Sequence, residues 1–162
     1  MEHRESFEER FLALLKERKL TLTTAESCTG GLIASRIVDV PGASEALMQG
    51  LVTYSNEAKM RYLGVREETL RAHGAVSEET AYEMACFGAR TAGTNVCLAS
   101  TGIAGPGGGT PEKPVGLVYI AAAFDGKCLV RKLNLSGTRR TIREQAAEAA
   151  LSLGIELLEN ET

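Results

Sequence analysis

Four stretches of the chain carry residue types that could do chemistry together. The first is residues 24–31, Thr24-Ala25-Glu26-Ser27-Cys28-Thr29-Gly30-Gly31. It sets a hydroxyl and a thiol side by side, and its glycine pair lets a ligand approach the backbone closely. Placed between a strand and a helix, its free N–H groups sit at a helix N-terminus. Such groups suit an anion, either a ligand phosphate or an oxyanion that develops during a reaction. The plain alternative is a strand–helix turn in which Ser or Thr only caps the helix. The second stretch is Tyr54-Ser55-Asn56-Glu57-Ala58-Lys59. A lysine one turn into a helix serves as a general base when burial or a nearby cation brings its pKa to about 7–8; otherwise it is a solvated surface lysine.

The third stretch is residues 100–109, STGIAGPGGG. It follows an apolar strand pattern, the place where α/β sheets bind ligands. No Lys-Ser/Thr follows its glycines and the G-x-G-x-x-G spacing is absent, so it is neither a P-loop nor a dinucleotide fingerprint. Its consecutive N–H groups could form an anion nest, and a loop this long in a small domain favours function over filler. The fourth group is Arg139, Arg140 and Arg143 at the start of the last predicted helix, where cations oppose the helix dipole. An arriving anion would offset that cost; Glu144 and Glu148 could instead balance a solvated cluster. Cys28 reads either as a nucleophile activated at a helix N-terminus or as a small buried thiol. His73, in Arg71-Ala72-His73-Gly74, reads as a helix C-terminus rather than as a catalytic base.

The elements that must position these residues follow from periodicity and punctuation. Ser6 and Glu9 form a capping box, and Phe7, Phe11, Leu14 and Leu15 recur at helical spacing, predicting a helix over 6–18. Residues 20–24 alternate as a strand, 25–29 form the turn, and 30–38 the next helix. Residues 51–54 are strand-like, and Ser55 or Asn56 caps a short helix over 57–63. Ser77 caps a helix to about residue 91. Strands follow over 95–100, 115–124 and 128–135, the last two joined by an Asp125-Gly126 hairpin. A long helix spans 139–158. Strands separated by helices, with one hairpin in the C-terminal half, predict a single α/β layered domain over residues 1–162. Its sheet is mixed, mostly parallel and flanked by helices.

The 162 residues carry a formal charge of −3, which argues against nucleic acid as a partner. Two His and four Cys, the latter without any C-x-x-C pair, argue against a metal site. The scarcity of His also leaves a serine hydrolase in need of another base. No charged start followed by an apolar run marks a signal peptide, and no apolar run approaches the roughly 20 residues of a membrane span. A reducing, cytoplasmic setting is the expectation.

Five blocks stand in order along the chain: TAESCTGG (24–31), VTYSNEAK (52–59), GAVS (74–77), STGIAG (100–105) and KPVG (113–116). Together they closely resemble the CinA C-terminal domain family over roughly residues 6–158. Stand-alone members of that family include the PncC-type nicotinamide-nucleotide amidases. Longer members carry a molybdopterin-binding-like domain before this module; the 162 residues resemble the stand-alone form, and that form is the expectation. The resemblance implies hydrolysis of the carboxamide of nicotinamide mononucleotide, a pyridine nucleotide, without metal or organic cofactor. Carried over by motif, Ser27 is the nucleophile, Lys59 its base, and Tyr54 lies close to both. The N–H groups of Thr29, Gly30 and Gly31 would hold the oxyanion. Thr101, Gly102, Ile103, Ala104 and Gly105 would shape the pyridine or ribose pocket. Arg139, or else Arg143, would meet the phosphate. The resemblance further implies a homodimer or higher homo-oligomer, for which Leu47, Met48 and Leu51 are candidate interface residues or simply core. The competing expectation is a nucleotide-binding or regulatory module without turnover, tied to competence or DNA damage. It would not need Ser27 and Lys59 within hydrogen-bond reach.

Overall fold

The computed structural model describes residues 2–160. Helix α1 (Phe7–Glu17) starts on the expected capping box: the Ser6 hydroxyl accepts from the Glu9 N–H, and the Glu9 carboxylate accepts from the Ser6 N–H. Strand β1 (Leu22–Glu26) and helix α2 (Leu32–Val38) follow, then a single 3-10 turn at Ala43–Glu45 and strand β2 (Leu47–Val52). Helix α3 (Asn56–Ala58) continues into a π-helical turn, Lys59–Leu63. Helices α4 (Glu67–His73) and α5 (Glu78–Ala92), strands β3 (Val96–Gly102), β4 (Leu117–Phe124) and β5 (Lys127–Asn134), and helix α6 (Arg139–Glu159) complete the order.

The five strands lie in the order β2-β1-β3-β4-β5. Strand β1 pairs parallel with both β2 and β3, whereas β4 is antiparallel to both β3 and β5. Four strands therefore point one way and β4 alone runs against them. The β4–β5 hairpin turns at Asp125-Gly126, both at positive φ. Alternation along the central strands divides the core between two faces. Val96, Leu98, Val118, Ile120 and Ala122 pack with Phe11, Leu12, Ile37, Ile142 and Leu151 beneath α1, α2 and α6. Cys97, Ala99, Ala121 and Ala123 pack with Leu63, Leu70, Met84 and Ala85 beneath the π turn, α4 and α5.

Three boundaries differ from the sequence pattern in ways that matter for the site. Strand β1 does not stop before Ala25. It runs through Glu26, because both flanking strands continue the ladder: Ala25 meets Leu51 and Ala99, and Glu26 meets Val52 and Ser100. Helix α2 begins at Leu32 and not at Gly30, since Gly30 and Gly31 adopt φ of 58° and 98° and serve the turn instead. Strand β2 is likewise earlier than residues 51–54, so Thr53 and Tyr54 follow its end, with the Thr53 N–H still donating to the Glu26 carbonyl at 2.8 Å.

Candidate active site

Ser27 follows the last residue of β1, and its N–H donates to the Ser100 carbonyl on β3 at 3.0 Å. The chain then closes a tight turn, with the Gly30 N–H donating to the Ser27 carbonyl at 3.0 Å. Lys59 arrives from the other side. Ser55 caps α3 through the Ala58 N–H, and the α-to-π junction carries Lys59 inward. A π turn inserted into a helix re-aims a side chain and recurs at functional sites. Lys59 is 1% exposed. Its Nζ lies 3.0 Å from Ser27 Oγ, 2.8 Å from the Thr53 carbonyl and 3.3 Å from the Tyr54 carbonyl. Burial lowers its pKa from 10.5 to about 8, since a charged ammonium is disfavoured away from water. A neutral lysine has two N–H bonds and one lone pair. The two carbonyls take the N–H bonds, and the lone pair is left for the Ser27 hydroxyl.

A cavity of about 270 Å³ opens over this pair. Tyr54, Thr101, Gly102, Ile103, Ala104, Gly105 and Arg139 line it together with Ser27 and Lys59. Strand β3 delivers Thr101, whose hydroxyl donates to the Ala75 carbonyl at 2.7 Å and so ties the segment before α5 to the cavity wall. Gly102 has no room for a side chain: a Cβ there would lie 2.6 Å from Val118 Cγ2 and 2.9 Å from the Leu117 carbonyl oxygen. Arg139 is exposed and donates to the Gly105 carbonyl at 2.8 Å and to the Tyr54 hydroxyl at 3.2 Å, joining two walls at the rim. Ala75, Val76, Gly107 and Gly108 also line the cavity. Gly107 and Gly108 belong to the stretch expected from the sequence to form an anion nest, whereas Ala75 and Val76 carry no role there although the GAVS block is visible. Two larger surface hollows, about 610 Å³ each, flank α5 and hold no such Ser–Lys pair.

Other expected ligand-binding residues are used differently. The N-terminus of α2 is not open to an anion, because the buried Glu26 carboxylate already fills it. Glu26 accepts from the Ile33 N–H at 2.8 Å, the Ala34 N–H at 3.1 Å and the Thr29 hydroxyl at 2.6 Å. The Thr29 hydroxyl in turn meets the Ser100 hydroxyl at 2.6 Å. Since Thr29 donates to Glu26, Ser100 must donate to Thr29. Thr29, Gly30 and Gly31 are not among the residues lining the cavity. The Gly30 N–H is committed to the turn and is no oxyanion donor, whereas the N–H groups of Cys28 and Thr29 bond to no other residue among those described. Arg143 does not reach the cavity either. Its Nε donates to the Cys28 carbonyl and its Nη2 to the Thr29 carbonyl, both at 2.9 Å. Arg140 pairs with Glu144. Glu26 is the residue the motif reading passed over; an acidic side chain just before a helix start was the available signal.

Cys28 lines the cavity, but burial raises its thiol pKa to about 11, so it is protonated at neutral pH and a poor nucleophile beside Ser27. His73 ends α4 as expected, outside the cavity, with its carbonyl accepting from Lys113 Nζ at 2.6 Å. Among the described residues no group of His, Cys, Asp and Glu could hold a metal ion, and no helix is long and apolar enough to cross a membrane.

A family model for the CinA C-terminal domain matches residues 4–158. The chain belongs to the CinA C-terminal domain family. It is 58% identical over 147 residues to a CinA-like protein of Kosmotoga olearia, covering 91% of this chain and 36% of that protein. The chain thus spans about a third of the length of the curated relatives it matches. Among solved structures, the competence/damage inducible protein CihA of Agrobacterium tumefaciens is 42% identical, with a TM-score of 0.91 and 93% of each chain covered. A competence-damaged protein (CinA) superfamily protein of Klebsiella pneumoniae is 36% identical with the same TM-score, covering 95% of this chain and 96% of that one. In this CinA C-terminal domain four of the five motif blocks that stand apart in sequence converge on one cavity, around a buried Ser–Lys contact, while KPVG (113–116) does not line it.

Proposed function

We propose that the chain hydrolyses the carboxamide of nicotinamide mononucleotide to nicotinate mononucleotide and ammonia through a Ser27 acyl-enzyme. The observation that carries this is the 3.0 Å contact between Ser27 Oγ and the buried Nζ of Lys59, whose other two partners are carbonyls. A carboxamide is a poor electrophile, so its hydrolysis needs an activated nucleophile, oxyanion donors and an acid for the leaving amine. Ser27 Oγ attacks the amide carbon while neutral Lys59 accepts its proton. The N–H of Cys28, which lines the cavity, holds the oxyanion. Lys59, now an ammonium, gives the proton to the departing nitrogen, and ammonia leaves. Water then attacks the acyl carbon, Lys59 takes a proton from it, and that proton returns to Ser27 Oγ as the acid departs. Tyr54 stands at the cavity wall beside this path. Arg139 at the rim supplies the charge for the 5′-phosphate, and the loop from Thr101 to Gly105 shapes the pocket for the ring and ribose.

A module that only bound nucleotides would gain nothing from burying a lysine against a serine hydroxyl, so the same contact favours turnover over binding alone. The test is ammonia release from nicotinamide mononucleotide by the wild type, Ser27→Ala and Lys59→Ala. Loss of release in both variants, with nucleotide binding retained, supports the proposal. Undiminished release by Ser27→Ala overturns the nucleophile assignment. Arg139→Ala should raise KM for the mononucleotide and leave KM for the riboside nearly unchanged.

A further inference from the structure

The turn that carries Ser27 is held from two sides, and one of its holders lies 115 residues away in α6. All three carbonyls between Ser27 and Gly30 have partners. The Ser27 carbonyl accepts from the Gly30 N–H, the Cys28 carbonyl from Arg143 Nε, and the Thr29 carbonyl from Arg143 Nη2 and the Leu32 N–H. A trans peptide places its N–H opposite its C=O. Each held carbonyl therefore fixes where the N–H of the next residue points. The Cys28–Thr29 peptide has only the guanidinium on its carbonyl among the described residues. Of the three N–H groups of the turn that bond to no other described residue, those of Cys28, Thr29 and Gly31, only that of Cys28 belongs to a residue lining the cavity, and it depends on the same clamp through the turn. Arg143 holds the Thr29–Gly30 peptide, the Gly30 N–H holds the Ser27 carbonyl, and that carbonyl orients the Cys28 N–H.

The fit is close on both sides. A Cβ on Gly30 would lie 3.1 Å from Arg143 Nη2, so the left-handed glycine leaves the space the guanidinium occupies. Beneath the turn, the Glu26–Thr29–Ser100 chain fixes the Thr29 side chain and leaves its peptide groups to Arg143. Arg139 and Arg143 stand one helical turn apart on the same face of α6, yet only Arg139 lines the cavity.

We infer that Arg143 is a positioning residue: its guanidinium, holding two successive carbonyls of the nucleophile turn, sets the peptide orientation that presents the Cys28 N–H to the oxyanion. This role rests on the proposed acyl-transfer chemistry. A lysine cannot replace it, since one ammonium lacks the rigid fork that meets two acceptors at once.

The test compares wild type, Arg143→Lys and Arg143→Met in two assays, with the thermal midpoint of each recorded. The first assay measures kcat and KM for ammonia release from nicotinamide mononucleotide and from nicotinamide riboside. The second measures the rate of Ser27 labelling by a fluorophosphonate, whose phosphonyl oxygen needs the same donor but carries no nucleotide. Loss of an oxyanion donor costs about 10²–10³-fold in kcat. Arg143→Met should lose that much, with KM within about twofold and an equal loss on both substrates. Labelling should slow in parallel, Arg143→Lys should recover only a small part, and added guanidinium ion at millimolar concentration should partly restore Arg143→Met. A loss confined to KM for the phosphorylated substrate would make Arg143 a phosphate ligand and overturn the inference, as would normal labelling in both variants. Should the wild type label but release no ammonia, the amidase assignment fails while the labelling rates still decide the role of Arg143. A wild type that does neither overturns both.

Discussion

Replacing Lys59 with methionine should stabilise the protein near neutral pH, destabilise it in alkali, and abolish activity throughout. In the unfolded chain the ammonium titrates at its ordinary 10.5, whereas burial brings it to about 8 in the folded chain. Below about 8 both states carry the proton, so the folded state bears the full cost of burying the charge, about 3 kcal/mol at 1.36 kcal/mol per decade. As pH rises through about 8 the folded chain releases its proton while the unfolded chain still holds one. Stability of the wild type therefore rises with pH; the cost falls to about 2 kcal/mol at pH 9 and under about 1 kcal/mol by pH 10. Methionine carries no such cost, but it strips the Thr53 and Tyr54 carbonyls of a donor, a loss of about 1–2 kcal/mol. Lys59→Met should thus be about 1–2 kcal/mol more stable at pH 7, or about 3–6 °C in thermal midpoint for a chain this size. The difference should cross zero near pH 9 to 10. The same titration predicts that kcat/KM of the wild type climbs with pH and reaches half its plateau at about 8. With that pKa about a tenth of the molecules hold a neutral lysine at pH 7, about 300-fold more than an unshifted lysine would provide. The measurements are calorimetric unfolding of both proteins from pH 6.5 to 10 and a pH–rate profile of ammonia release. A stability gap that stays constant across that range, or a rate profile whose midpoint lies above 10, would show that Lys59 remains an ammonium and is not the base.

Cys28→Ser should retain most activity, and iodoacetamide should leave Cys28 unmodified in the folded protein near neutral pH, because burial holds its thiol protonated with a pKa of about 11; peptide mapping after alkylation reads this directly. Glu26→Ala should destabilise the fold by about 3 kcal/mol or more, since three buried donors lose their acceptor at about 1–3 kcal/mol each; denaturant unfolding measures it. Gly102→Ala should cost about 1–3 kcal/mol through the clash with Val118 and the Leu117 carbonyl, and it should lower kcat/KM by shifting the cavity wall; unfolding and kinetics on the same preparation test both halves.

The sequence by itself determined the elements and the candidate residues. The capping box of Ser6 and Glu9, the hairpin signal at Asp125-Gly126 and the strand pattern over residues 115–124 are local physics, and the structure follows them, with β4 at Leu117–Phe124. Ser27 and Lys59 were legible as candidates because a hydroxyl and an amine are groups such chemistry needs, while the pairing of the two and the place of Tyr54 came with the family resemblance. The element boundaries near the site were not legible. Ala25 and Glu26 belong to β1 because two neighbouring strands supply ladder partners, and no window of residues 20–30 contains those neighbours. Lys59 could be proposed as a base from sequence, but its shifted pKa could not be derived there. Desolvation depends on which groups close around Nζ: the Thr53 and Tyr54 carbonyls of its own block fold back onto it, and Ser27 arrives from another segment. The arginines make the same point most sharply. Arg139, Arg140 and Arg143 are chemically equivalent in the sequence. The placement of α6 sends one to the cavity rim, one to Glu144 and one to the carbonyls of the nucleophile turn. A guanidinium's role is set by the acceptors it meets, and only the tertiary structure decides which acceptors those are.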